Sequence, residues 1–186
     1  MYLLVDNYDS FTYNIYALFI KNDCDVEVVK NSEPVKNKRY KGIILSPGPS
    51  TPENSGTTLD YLKKYFGKIP FFGVCLGMQA LGFYMGYKIR QAKTIRHGKK
   101  EYIIKQSNSI LLNGLPERFI SVRYHSLAVE CDSKLVTSHA AYDGEYMSIE
   151  DKDRYVFGVQ FHPESYMSHY GLDIVKNYIT FCEGVK

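Results

Sequence analysis

Apolar residues in the first half of the chain alternate between short continuous runs and helical spacing. Tyr2 to Val5 is an apolar run that stops at Asp6, and Phe11, Ile15, Leu18 and Phe19 follow at i, i+4, i+7 and i+8. A strand and then a helix are predicted, with Ser10 placed to cap the first free N–H groups and Asp9 at the positive end of the helix dipole. Val26 to Val29 is a second run. Gly42-Ile43-Ile44-Leu45 is a third, ending abruptly in Ser46-Pro47-Gly48-Pro49-Ser50-Thr51-Pro52, where the prolines exclude a helix and stiffen a loop. Leu59, Leu62 and Phe66 mark one face of a second helix, and Ile69 to Val74 reads as a fourth, fully buried strand. Strands that are apolar throughout, alternating with helices, predict an open, mostly parallel sheet flanked by helices, an α/β fold.

The pattern changes after about residue 87. Lys88 to Ile95, Tyr102 to Lys105, Ser121 to Tyr124, Lys134 to Thr137, Met147 to Glu150 and Tyr155 to Phe161 are short, half-polar segments, with turns at Asn113-Gly114 and Asp143-Gly144. The second half is therefore expected to be β-rich, closed by a helix whose core face is Leu172, Val175, Tyr178, Ile179 and Cys182. No repeat or linker divides the chain, so residues 1–186 are expected to form one domain.

Composition narrows the class. With 45% hydrophobic and 23% charged residues the chain is of ordinary globular make-up. A net charge of +3 is too small for a nucleic-acid face, so nucleic acid is not an expected partner. No run approaches the roughly 18 apolar residues of a membrane span, and Asp6 interrupts the first apolar run too early for a secretory core. A cytoplasmic protein without a membrane partner is expected, and Cys24, Cys75, Cys131 and Cys182, which lack Cys-x-x-Cys spacing, are expected to be reduced thiols.

Candidate chemistry concentrates in three places. Gly73-Val74-Cys75-Leu76-Gly77 fits a nucleophile elbow, in which small residues two before and two after the nucleophile let strand and helix approach closely. Cys75 would then sit exposed at the sheet's C-terminal edge, with the N-terminus of the following helix favouring thiolate. Without the flanking glycines a small buried hydrophobe would be the commoner reading of Cys75; with them the nucleophile is. In Gln160-Phe161-His162-Pro163-Glu164-Ser165, Pro163 biases His162 to extended geometry, which places His162 and Glu164 on one side so that a carboxylate orients an imidazole. A solvated surface turn is the bland alternative. The third is the Pro47-Gly48-Pro49-Ser50 loop: the elbow offers the Leu76 N–H to a developing oxyanion, and Gly48 or Ser50 can offer a second. All three lie beyond the carboxyl ends of strands, where parallel sheets bind ligands.

These residues resemble the class I glutamine amidotransferases. Gly73-Val74-Cys75-Leu76-Gly77-Met78-Gln79 is similar to that family's nucleophile motif and Gly158-Val159-Gln160-Phe161-His162-Pro163-Glu164-Ser165 to its His/Glu motif. Asp6-Asn7-Tyr8-Asp9-Ser10-Phe11-Thr12-Tyr13-Asn14 and Arg123-Tyr124-His125-Ser126-Leu127 are similar to segments of the small subunits of anthranilate and aminodeoxychorismate synthases. Leu45-Ser46-Pro47-Gly48-Pro49 and His97-Gly98-Lys99 complete a resemblance that runs the length of the chain. Two positions depart from the pattern: Met78, where those synthases more often carry His, and Ser50, commonly Gly or Cys.

The resemblance implies a glutaminase with Cys75 as nucleophile, His162 as proton carrier and Glu164 as its orienting carboxylate. It implies oxyanion donors at Leu76 and Gly48 or Ser50, a glutamine site of Gly48, Pro49, Ser50, Gln79, Ser126 and Leu127, and a partner-facing loop at His97-Gly98-Lys99. It also implies a large subunit that uses chorismate, with magnesium on that partner and no cofactor in this chain. The absence of phosphate- and dinucleotide-binding fingerprints agrees with acceptor chemistry on another chain. His125, His139 and His169 show no metal-ligand spacing and receive no chemistry. A stand-alone cysteine γ-glutamyl hydrolase, a glutaminase of another amidotransferase branch and a catalytically silent binding module are the competing expectations.

Overall fold

The computed structural model describes residues 1–106 and 108–185. In chain order the strands are β1 (Tyr2–Asp6), β2 (Val26–Lys30), β3 (Ile43–Leu45), β4 (Phe71–Val74), β5 (Lys88–Gln91), β6 (Lys99–Lys105), β7 (Arg118–Arg123), β8 (Leu127–Glu130), β9 (Val136–Ala140), β10 (Tyr146–Asp151) and β11 (Val156–Val159). The helices are α1 (Thr12–Ile20), α2 (Thr58–Tyr65), α3 (Leu76–Tyr84) and α4 (Gly171–Gly184).

Nine strands form one sheet in the order β2-β1-β3-β4-β11-β10-β9-β6-β7, and β5 pairs with β8 in a separate ribbon. From β2 to β11 every pairing is parallel. From β11 outward to β7 every pairing is antiparallel. Both faces of the parallel part are covered, which is why its strands carry no polar alternation. On one face Leu4, Ile44, Phe72 and Phe157 pack with Ile15 and Phe19 of α1 and Ile174, Val175 and Tyr178 of α4. On the other, Leu3, Val5, Ile43, Leu45 and Phe71 pack with Tyr61 and Leu62 of α2 and Ala80 and Leu81 of α3. Among the described residues no helix is long and apolar enough to cross a membrane.

The parallel strands end on one edge, at Asp6, Leu45, Val74 and Val159. The segments that leave that edge are Asn7 to Phe11, Ser46 to Pro52, Cys75 and Gln160 to Glu164, so the topology gathers every chemistry-bearing loop of the first and last motifs. The second-half segments reach the same place through the β5–β8 ribbon and the start of β6.

Local expectations were met unevenly. Ser10 is exposed and makes no cap to α1. Two carboxylates take that role: Asp9 Oδ1 accepts the Phe11 N–H at 2.8 Å, and Asp6 Oδ1 accepts the Thr12 hydroxyl at 2.7 Å. Leu172 is exposed, because the buried seam of α4 runs through Gly171, Ile174, Val175 and Tyr178 and Leu172 lies about 200° round the helix from Ile174. The strand expected over Lys88 to Ile95 stops at Gln91, where its partner β8 ends the ribbon, and β8 itself carried too short an alternation to be read. The segment around Lys134 is a short 3₁₀ turn, Ser133–Leu135, that leads into β9.

Glycine at the elbow is a packing requirement. A Cβ at Gly73 would lie 2.5 Å from the Gly77 carbonyl oxygen, and one at Gly77 would collide with the Leu45 carbonyl. A Cβ at Gly158 would lie 2.9 Å from Met78 Cγ, so the glycine opposite β4 is what admits methionine after Gly77. Gly77→Ala is expected to destabilise by at least about 2 kcal/mol, because backbone on both sides cannot yield. Gly184→Ala, in open space in the last turn of α4, should instead stabilise by about 0.4–1 kcal/mol. Chemical denaturation of both variants tests the contrast; a neutral Gly77→Ala would refute the close approach of α3.

Candidate active site

Cys75 terminates β4 and starts α3 with φ 52° and ψ −105°, a conformation that non-glycine residues avoid and that costs about 1–3 kcal/mol. It is held from both sides. Its N–H donates to the Val159 carbonyl at 2.8 Å across the β4–β11 pairing, and its carbonyl accepts the Gln79 N–H at 3.0 Å in the first turn of α3. Leu76, as the first residue of α3, has no acceptor within the helix for its N–H.

His162 lies three residues beyond β11. Its Nδ1 is 2.6 Å from Glu164 Oε1, and both side chains are almost wholly buried. The i, i+2 placement expected from His162-Pro163-Glu164 is therefore present. Burial opposes charging of the imidazole, yet the Glu164 carboxylate and the Cys75 sulfur outweigh it, so the His162 pKa stands above the ordinary histidine value. His162 Nε2 is buried and has no hydrogen-bond partner among the described residues, although His162 and Cys75 line one cavity of ≈ 260 Å³. The sulfur is near enough to favour the proton on the ring without closing a well-aligned hydrogen bond, as unliganded sites often leave it.

A second cavity of ≈ 300 Å³ is lined by Gly48, Pro49, Ser50, Cys75, Gln79, Ser126 and Leu127. Every residue expected to hold glutamine borders it. His97 and Tyr124 border both cavities. The loop over Pro47 to Ser50 is clamped by Asn7, whose N–H donates to Ser46 Oγ and whose Nδ2 donates to the Ser46 carbonyl, each at 2.8 Å. Asn7 Oδ1 in turn accepts from Asn31 at 3.0 Å and Thr58 at 2.6 Å. A Cβ at Gly48 would lie 2.7 Å from Asn7 Cβ and from Leu76 Cδ2, so only glycine brings this loop against the start of α3. Among the described residues neither the Gly48 nor the Ser50 N–H donates to a main-chain acceptor.

The Tyr124 ring stands between the loop at His97 and the imidazole of His162, with ring centroids 5.5 and 5.0 Å away. Gly98, at φ 66°, packs on its far side, and Lys99 opens β6. A larger depression of ≈ 770 Å³ lies at the opposite edge of the sheet, around Lys38 to Lys41 and Lys68 to Pro70. Two of its lysines are already paired, Lys38 with Glu27 and Lys41 with Glu183, and it contains none of the motifs.

Sequence reasoning left His125 and Gln160 without roles. Gln160 Nε2 donates to Cys75 Sγ at 3.5 Å, because Val74 and Val159 are register partners and the next residues of the two strands become neighbours. His125 is buried between Arg123 and Leu127: its Nε2 faces Arg123 Nε at 3.1 Å and its Nδ1 faces the Leu127 carbonyl at 2.9 Å. Arginine only donates, so Nε2 accepts, Nδ1 carries the hydrogen, and the ring is neutral. Arg123, fully buried, is neutralised by Asp143 at 3.0 Å and Glu101 at 3.5 Å. The Arg-Tyr-His-Ser-Leu segment is thus an anchor for the Leu127 carbonyl, a role that no spacing in the sequence reveals.

The family Glutamine amidotransferase class-I matches residues 3–181, and the chain belongs to it. The chain is 40% identical over 186 residues to the bifunctional protein TrpGD of Thermotoga maritima, covering 95% of this chain and 31% of that protein. It is 36% identical over 186 residues to anthranilate synthase component 2 of Lactococcus lactis, covering 96% and 93% of the two chains. It is 37% identical over 190 residues to aminodeoxychorismate synthase component 2 of Escherichia coli, covering 96% and 99%. Among solved structures, a putative GMP synthase subunit from Thermoplasma acidophilum shares the fold, with a TM-score of 0.85 at 22% identity over 98% and 94% of the chains. The resemblance drawn from the motifs and the α/β expectation are both borne out.

Burial, and then the charge of Arg123, depress the His125 pKa from 6.5 to about 4. The unfolded chain therefore binds a proton that the folded chain refuses as pH falls below 6.5, and stability of about 3 kcal/mol, complete above that pH, is lost on approach to pH 4. His125→Leu should remove this acid-side loss while costing about 1–3 kcal/mol at neutral pH, since Arg123 Nε and the Leu127 carbonyl lose a partner. Urea unfolding across the acid range measures both; an unchanged acid slope would refute the neutral, buried ring.

Proposed function

We propose that the chain is the glutaminase component of a synthase that aminates chorismate, releasing ammonia from L-glutamine for a partner large subunit. Its strongest support is the convergence on one ≈ 300 Å³ cavity of Cys75 with Gly48, Pro49, Ser50, Gln79, Ser126 and Leu127, drawn from separate segments of the chain. The component 2 relatives, matched over nearly their full lengths, support a separate component 1 partner.

The chemistry follows from the geometry. Cys75 Sγ attacks the side-chain carboxamide carbon of glutamine, and the developing oxyanion takes the N–H of Leu76 and that of Gly48 or Ser50. Protonated His162, held by Glu164, gives its Nε2 proton to the amide nitrogen, the C–N bond breaks and ammonia leaves. His162, now neutral, takes a proton from water as it attacks the thioester carbon, and glutamate and Cys75 are released. The oxyanion donors belong to main chain held by the loop clamp and the helix start, so little reorganises as charge develops.

His97-Gly98-Lys99 would face the partner. The edge-to-face contacts of His97 with Tyr124, and of Tyr124 with His162, would provide a direct mechanical route from a docked large subunit to the proton carrier. Glutamine hydrolysis should accordingly be slow in the chain alone and rise when a chorismate-using large subunit binds; equal rates with and without it would refute that coupling.

Cys75→Ala should abolish product from glutamine in the complex and leave product from ammonium salt intact. Loss of both would mean that Cys75 maintains the fold or the interface. His162→Ala should lower glutaminase turnover by about 10²–10⁴-fold and Glu164→Gln by less, since the first removes the proton carrier and the second only its orientation. Steady-state rates of the two variants decide, and equal losses would count against the orienting role of Glu164.

A further inference from the structure

Outside the set of Cys75, His162 and Glu164, a further side chain among the described residues hydrogen-bonds the sulfur. Gln160 is fully buried, and its Nε2 lies 3.5 Å from Cys75 Sγ. Its other end is also committed: Gln160 Oε1 accepts from Gln79 Nε2 at 3.1 Å, and the same Gln79 nitrogen donates to the Leu127 carbonyl at 3.0 Å.

The orientation of each amide in this network is dictated by the Leu127 carbonyl. Arg123 can only donate, so His125 Nε2 accepts and its Nδ1–H points to the Leu127 carbonyl. That carbonyl can only accept, so Gln79 presents nitrogen to it rather than oxygen. The same nitrogen faces Gln160, which must answer with oxygen, and this turns the Gln160 NH₂ group toward Cys75. A flipped Gln160 would set two NH₂ groups against each other and an oxygen lone pair against the sulfur. The relay to the sulfur therefore runs from the Leu127 carbonyl through Gln79 and Gln160, and His125, held by Arg123 and its Asp143 and Glu101 pairs, fixes that carbonyl from the other side.

We propose that Gln160 is a further catalytic residue: its side-chain amide donates a hydrogen bond to the Cys75 sulfur, stabilising and aiming the thiolate, and Gln79 ties that donor to the loop that borders the cavity at Ser126 and Leu127. The proposal rests on the glutaminase function above, in which Cys75 is the nucleophile. An N–H donor to a sulfur anion survives exclusion of water, and it leaves the Leu76 N–H free for the substrate oxygen. Because Gln79 spends both hydrogens on Leu127 and Gln160, its side chain acts on glutamine through its oxygen or through this relay.

The test is the pH profile of iodoacetamide alkylation at Cys75 in the full chain, read by mass on the Cys75 peptide, for wild type, Gln160→Met and Gln160→Glu. Removing the donor should slow alkylation at neutral pH about tenfold or more and move the profile to higher pH. Gln160→Glu, with the same shape but an acceptor against the sulfur, should move it further. Cys24, Cys131 and Cys182 in the same digests should react as in wild type, which a merely loosened fold would not allow. If Gln160→Met exposes all four thiols, the near-isosteric Gln160→Glu carries the test on the same criterion. Superimposable Cys75 profiles in wild type and a folded variant would overturn the proposal. The two failures are separable: wild-type Cys75 that alkylates readily and depends on Gln160, yet hydrolyses no glutamine with any partner, would count against the glutaminase function and not against the Gln160 donor.

Discussion

The parallel pairing of β4 with β11 is the constraint on which the site depends. It sets Gly73 beside Gly158 and Val74 beside Val159, so that residues 85 positions apart in the chain leave the sheet together as Cys75 and Gln160. The pairing works only because α3 lies close over the strands, and that approach demands glycine at residues 73, 77 and 158. The strained backbone of Cys75 is held in turn by hydrogen bonds to β11 on one side and to α3 on the other. Strand register, helix approach and the placement of the sulfur, which is buried rather than exposed as the elbow alone suggests and reaches two cavities, are thus one structural solution rather than three.

Around that point the protein uses two opposite electrostatic settings for buried histidines. His162 has a carboxylate at 2.6 Å and a sulfur nearby, and its proton is retained despite burial. His125 has an arginine at 3.1 Å and is kept neutral. The first setting suits a group that must carry a proton during a reaction, the second a group whose donor must always point the same way. A charged His125 would present Nε2–H to Arg123 and lose that contact, while its Nδ1–H would still reach the Leu127 carbonyl. The buried Arg123 with its carboxylates is therefore best understood as the group that keeps His125 neutral and in place against the Leu127 carbonyl, and less as a source of stability, which buried ion pairs supply poorly.

A third link is aromatic. His97, Tyr124 and His162 meet edge to face in sequence, and Phe11 closes on His162 with its centroid 6.2 Å away. These contacts tie the outer loop expected to meet a partner to the imidazole that would carry the proton. A hydrolase that must not waste glutamine gains from such a link, because the proton carrier and the docking surface then share a rigid path.

Much of this was legible in the sequence. Continuous apolar runs such as Ile43 to Leu45 and Phe71 to Val74 announced parallel strands, since burial on both faces leaves no polar alternation. The glycines around Cys75 announced an elbow because their spacing answers a local steric demand, and His162 and Glu164 could be paired because Pro163 restricts the backbone between them. The motifs also marked the Pro47 to Ser50 loop and Ser126 with Leu127 as neighbours of Cys75. These features depend on residues a few positions apart, and short-range geometry is written in spacing. What the tertiary structure alone decided is long-range: that β8 pairs with β5, that Asp6 and Asp9 rather than Ser10 serve α1, that Gln160 meets the sulfur and that His125 is a neutral strut. Each depends on register, or on which distant group fills a given space, and neither is encoded in the periodicity of the segment that carries it.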